Sequence, residues 1–260
     1  MASDASLAAL VAQFVPVSVD VGSPDFRKWA ERLGLAGQIT IPYVSVLRAD
    51  GEKLYADSGA PQGDALPALL RHCLENAGKV LDEKKLERMS EALEAALKLA
   101  AEGNDAAAID KIAKLVGSGC YAEAAVNLDA FAKQLAEKAL ARAAEAEELL
   151  GQADAEQVFA GALALCETLR VYGKLPAVKA DVAARLKKLR SKAETRAVLQ
   201  QAEALDRAVV TAARQPKRAV AAFQQVIHRF PDSPAAKLAQ QRLDELSAQV
   251  GHGDSPQPSR

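Results

Sequence analysis

The stretch Arg218–Ala236, RAVAAFQQVIHRFPDSPAA, decides how the larger part of this chain is read. Phe223, Ile227 and Phe230 recur at helical spacing, so they share one stripe of a helix. Pro231-Asp232-Ser233-Pro234 ends that helix, because proline cannot extend one, and Pro234 suits the first position of the next, where its missing N–H goes unused. Ala235, Ala236 and Ala239 then let the second helix approach the first closely. The stretch predicts a helical hairpin in which Phe223, Ile227, Phe230, Leu238 and Leu243 meet.

Working outward, the same pattern returns. Ala107–Phe131, Gly161–Leu189 and Arg218–Leu246 each give a short apolar helix, a turn and an alanine-rich helix. From residue 79 onward there is no strand signal. Lys79–Glu102 predicts a helix broken by Gly103-Asn104-Asp105, and the next helix carries Ile109, Ile112, Leu115 and Val116. A long helix from about Tyr121 to Leu150 turns at Gly151–Asp154 and returns over 155–172. Leu175-Pro176 opens a further long helix to about Arg214, Gln215-Pro216 turns it, and residues 217–229 lead to the quoted turn. Neighbouring hairpins must stack, since one alone cannot bury its face. Residues 251–260, rich in Gly, Pro and Ser, have nothing to bury and are expected to be disordered.

The first part of the chain has another composition. Residues 1–78 carry six Lys and Arg against nine Asp and Glu, whereas 79–260 carry 27 against 25, and five of the eleven aromatics fall in the shorter part. Phe14–Val21 alternates apolar and small residues in a β-branched run that Gly22-Ser23-Pro24 ends, which predicts a strand over 15–21. Pro24 to Leu33 predicts a helix closed by Gly34. Tyr43–Leu47, the turn Asp50-Gly51 and Lys53–Ala56 predict a β-hairpin. Asp64 is placed to cap a helix reaching about Asn76, with Gly78 beyond it. The expected order is helix, β, α, β, β, α, with a three-stranded sheet. The domain boundaries follow as 1–78, 79–250 and a tail over 251–260.

The segment Leu7–Cys73 resembles the later part of a thioredoxin-fold domain. LAALVAQFVPVSVDV is similar to the end of the helix after the active site and the strand that follows it. ITIPYVSVLRADGEKLYADSGA is similar to the cis-proline loop, the antiparallel hairpin and its glycine. The resemblance implies a partial βαββα thioredoxin-like domain with a cis Ile41–Pro42 bond, and it implies that Ile41 and Pro42 form a peptide-binding edge. It also places the family's CxxC motif upstream of Met1. The last hairpin, with its aromatic, proline and alanines, is similar to a tetratricopeptide unit. The period exceeds the ~34 residues of such a unit, so each repeat would hold a hairpin plus the extended end of its long helix.

Several chemistries lack their residues. Cys73, Cys120 and Cys166 stand far apart without CxxC spacing, which argues against a disulfide framework, a zinc site or a redox pair. Each is expected to be a small buried hydrophobe. His72, His228 and His252 form no helical ligand pair, so no metal site is expected. The glycine clusters have no phosphate-cradling spacing. Arg185, Lys187, Lys188, Arg190 and Lys192 form a basic run without interleaved aromatics, between Asp181 and Glu194, and read as a solvated helix face rather than a nucleic-acid site. Phe26 and Trp29 are expected to cover the sheet. The formal net charge of −1 gives nucleic-acid binding no excess of basic charge.

The expectation is therefore an α/β thioredoxin-like partial domain followed by an all-α array of tetratricopeptide-like helical hairpins, with no catalytic residue and no cofactor. Its expected role is a non-catalytic interaction or scaffold protein that binds a protein or peptide through the helical repeats. The alternative is a thiol–disulfide oxidoreductase whose CxxC segment precedes this chain. No membrane span and no signal peptide are evident, so the chain as written is expected to be cytoplasmic, or extracytoplasmic if a leader segment precedes it.

Overall fold

The computed structural model describes residues 4–35 and 41–251. Helices dominate, and the sheet among the described residues has two strands. Backbone contacts gather the chain into two compact units, residues 1–94 with 115–130 and residues 95–114 with 131–260.

In the first unit, α1 (Asp4–Val11) and α2 (Phe26–Leu33) precede β1 (Tyr43–Leu47) and β2 (Lys53–Ser58), and α3 (Ala65–Asn76) follows. β1 and β2 are antiparallel, with Tyr43 opposite Ser58 and Val46 opposite Tyr55, and the register shifts between Val46 and Leu47. The turn Arg48–Gly51 closes through the Gly51 N–H on the Arg48 carbonyl at 2.9 Å. Gly34 ends α2 in the left-handed conformation, its N–H bonded to the Ala30 and Glu31 carbonyls.

The strand expected over 15–21 is absent. Residues 15–20 form no ladder, and Val15 and Val17 are 88% and 63% exposed. β-branched alternation gives a segment strand character only when a neighbouring strand takes its backbone groups, and β1 pairs here with β2 alone. Phe26 and Trp29 are only half-buried, because α2 buries no residue fully. Trp29 instead lies under the Arg32 guanidinium, 5.6 Å from the ring centre.

Among the described residues, the buried side chains of this unit are Pro67, Leu70 and Cys73 of α3, Met89, Cys120, Ala125 and Leu128. Met89 belongs to α4 (Glu83–Ala101), and Ala125 and Leu128 open α6 (Glu123–Leu150). Gly78 lies within this unit. Its φ is +79°, and a Cβ there would stand 2.4 Å from the Tyr121 ring and 2.8 Å from the Gly119 carbonyl, so only glycine lets the chain pass. The Lys79 N–H donates to that carbonyl at 2.7 Å.

The second unit holds α5 (Asp105–Ile112), the rest of α6, α7 (Ala155–Tyr172), α8 (Pro176–Ser191), α9 (Ala193–Arg214), a short 3-10 turn at Pro216–Arg218, α10 (Ala219–Arg229) and α11 (Pro234–Gly251). α7 packs on α8 and α9, α9 on α10, and α10 on α11. Small residues line the seams: Ala139, Ala143 and Ala146 of α6, Ala162 of α7, Ala202 and Ala208 of α9, and Ala235, Ala236 and Ala239 of α11 are buried. At Gly161 the approach is closest, since a Cβ there would lie 2.5 Å from the Ala146 carbonyl oxygen. Caps fix the turns. Asn104 accepts from the Ala107 N–H at 3.2 Å, Asp154 from the Glu156 N–H at 3.1 Å, and Ser233 Oγ from the Ala236 N–H at 3.2 Å.

Two expectations change in this unit. The long helix read from Leu175 to Arg214 is broken at Lys192, whose φ of −96° and ψ of 130° leave the helix. The orphaned last carbonyls of α8 find side-chain donors there: Thr195 Oγ1 bonds the Leu189 carbonyl at 2.7 Å and Arg196 Nε the Arg190 carbonyl at 2.9 Å. In the last hairpin Phe223 is buried, but Ile227, Phe230, Leu238 and Leu243 are half-buried. The seam runs instead through Ala219, Phe223 and Val226 of α10 and the three alanines of α11, because a close approach brings the smallest residues to the contact line.

Candidate functional site

The residues that the thioredoxin-like resemblance singles out stand at the head of the β-hairpin. The Ile41–Pro42 peptide bond is cis, and Ile41 is largely exposed. The Pro42 carbonyl accepts from the Gly59 N–H at 2.6 Å, closing the hairpin's open end. At the other end Arg48 Nε and Nη2 bond the Asp50 carboxylate at 3.0 and 2.7 Å, Glu52 takes a further bond from Nη2, and the guanidinium lies 3.4 Å from the centre of the Tyr121 ring. The bond from Arg48 holds the Asp50 carboxyl below its usual range.

The three cysteines are free and buried. Burial raises the Cys73 thiol pKa, and burial together with the nearby Asp206 and Glu203 pushes Cys166 to about 12. A thiol in such surroundings stays protonated and is a poor nucleophile. His72 and His228 are exposed, and His252 lies outside the described residues. Among the described residues no three His, Cys, Asp or Glu side chains come together as metal ligands. None of their helices is long and apolar enough to cross a membrane.

The most concentrated polar chemistry is one the sequence did not announce. Asp105, in the first turn of α5 and 5% exposed, accepts at Oδ2 from Lys138 Nζ of α6 at 2.6 Å and from the buried Tyr172 hydroxyl of α7. Arg142 Nη1 donates to the Tyr172 oxygen at 3.0 Å. Burial works to raise the Asp105 pKa, but the bonds from Lys138 and Tyr172 and the charges of Lys138 and Arg142 outweigh it, so the group titrates below the ordinary carboxylate value. Tyr172 is shifted up by burial and by the Asp105 carboxylate. Asp105 Oδ1 has no hydrogen-bond partner among the described residues. The cluster fastens α5, α6 and α7 to one another through Asp105 Oδ2 and the Tyr172 hydroxyl. Lys138 and Arg142 sit four residues apart on one helix face, but partners 33 and 67 residues from Asp105 in the chain leave no local signal.

The basic run is partly neutralised in place, at Arg185, Lys188 and Arg190. Arg185 bonds Asp181 and Glu147, and Arg190 bonds Glu203 at 2.6 Å. No protein-family model matches this chain, and no curated protein and no solved structure is detectably similar to it.

Proposed function

We propose that this chain is a non-catalytic interaction protein, a redox-inactive thioredoxin-like region joined to a tetratricopeptide-like array of helical hairpins that holds a protein or peptide partner. The observation that carries the reading is the build of α7–α11. Each helix buries an apolar stripe against its neighbours, Val178, Val182 and Leu186 on α8 and Ala235, Ala236 and Ala239 on α11 among them, and leaves its remaining positions half-buried or exposed, which is how a stacked array makes surface for a partner. The high-pKa environments of Cys73 and Cys166 support the absence of thiol chemistry.

Two measurements test the proposal. With the full chain immobilised, a polypeptide should be retained that then binds the purified chain saturably and with fixed stoichiometry by calorimetry. In an insulin-reduction assay with dithiothreitol the chain should run at the buffer rate. Turnover abolished by Cys73→Ser, or no saturable polypeptide binding, overturns the reading.

A further inference from the structure

Where α8 gives way to α9, a recess of about 190 Å³ opens between Arg190, Arg196, Leu199, Gln200 and Glu203. We propose that this recess is a docking point for the carboxylate of an Asp or Glu in an acidic segment of a partner polypeptide; the inference rests on the interaction reading above and assigns the partner's chemistry.

The argument starts from the two guanidinium groups. Arg196 is anchored by Nε on the Arg190 carbonyl at 2.9 Å, which fixes the plane of its fork. Arg196 lines the recess, and its Nε bond to that carbonyl is the one hydrogen bond its side chain makes among the described residues. Arg190, on the same wall, is already paired with Glu203 at 2.6 Å, which leaves Arg196 as the lining guanidinium with no carboxylate partner among the described residues. A guanidinium fork held by its own Nε offers a carboxylate two parallel donors and loses little freedom in doing so. Leu199 is buried at the recess and supplies an apolar wall that strengthens the pairing.

The surroundings favour an acidic segment over a lone anion. Of the six cations between residues 185 and 203, Arg185, Lys188 and Arg190 are paired with Asp181, Glu147 and Glu203, which leaves Lys187, Lys192 and Arg196 beside Glu194. Lys187 and Lys192 are exposed and have no acidic partner among the described residues, so carboxylates flanking the docked one meet unspent positive charge. Glu203 must share Arg190 with the incoming group, and Glu194 opposes it, which places the main contact on Arg196. No aromatic side chain lines the recess on which a base would stack, so a polypeptide suits it better than single-stranded nucleic acid.

The test titrates the full chain into a fluorescein-labelled hexaglutamate peptide and follows anisotropy at low salt. The expected result is saturable binding that weakens as salt rises. Arg196→Gln should weaken it roughly tenfold, the loss of a charged hydrogen-bond pair, and Arg190→Gln by a smaller factor, while Lys111→Gln, an exposed charge change on α5, leaves it unaltered. Circular dichroism of each variant checks that the helices persist, and Arg190→Gln removes no helix cap. Equal binding by the arginine variants and Lys111→Gln, no binding of the peptide, or tighter binding of an oligothymidylate of equal charge each overturns the proposal. A polypeptide partner bound as tightly by Arg190→Gln and Arg196→Gln as by the unaltered chain removes the docking point alone and leaves the interaction function standing.

Discussion

The hairpins β1–β2 and α10–α11 are both two antiparallel segments joined by a tight turn, yet they bury themselves differently. Every residue of β1 is half-buried, and β2 adds no fully buried side chain. α10 and α11 place Ala219, Phe223, Val226, Ala235, Ala236 and Ala239 out of reach of solvent. A two-stranded ribbon has two faces to cover and is marginal by itself, whereas helices lined with alanine come close enough to exclude water along one seam. The same contrast separates α2, which buries nothing fully, from α7, which buries seven residues. Stability in this chain belongs where small residues permit close approach.

That comparison can be broken by substitution. Phe223→Ala should cost about 3–5 kcal/mol of unfolding free energy, since Phe223 is 3% exposed and its truncation leaves a cavity between packed helices. Val46→Ala, on half-buried β1, should cost about 1 kcal/mol, and equal costs in denaturant titrations would erase the distinction. Next in size is Gly161→Val, where the new Cβ meets the Ala146 carbonyl at 2.5 Å. Overpacking of this kind should cost about 1–3 kcal/mol or more, and a neutral result would show that the helices separate freely.

Asp105→Ala should cost about 1–3 kcal/mol, because it leaves the buried Tyr172 hydroxyl without its acceptor. The linkage has a definite sign. A carboxyl whose pKa is lower folded than unfolded adds stability that is fully present above the unfolded value of about 3.9 and disappears as pH falls through the folded value. Melting temperature should therefore drop below about pH 4, and Asp105→Asn should flatten that part of the profile. The smallest effect belongs to Val15→Ser. At 88% exposure, the change should stay within about 0.5 kcal/mol, and a larger loss in thermal melts would show that residues 15–20 pack after all.

What the sequence makes legible follows the same divide. Helix ends marked by local chemistry emerge directly: α7 spans the expected 155–172, Pro176 and Pro234 open their helices, and the hairpin strand Tyr43–Leu47 has the bounds its pattern predicts. These signals act within a few residues. The strand at 15–21 fails because strand formation needs a neighbour that alternation cannot specify. The break at Lys192 is invisible for a related reason, since no Gly or Pro marks it and the donors that stabilise it, Thr195 and Arg196, become partners only once α9 has turned. The Asp105 cluster and the guanidinium recess at the start of α9 belong to the same class: tertiary packing assembles both from residues that individually read as solvated charge.

Amide hydrogen exchange on the full chain, with and without Phe223→Ala, tests the central claim most directly. The account predicts that α7, α9 and α10 exchange more slowly than β1 and β2 in the unaltered chain, and that the substitution speeds exchange over residues 217–247 while the hairpin at 43–58 keeps its rates. Equal protection of the two hairpins, or a change spread evenly over both, would contradict it.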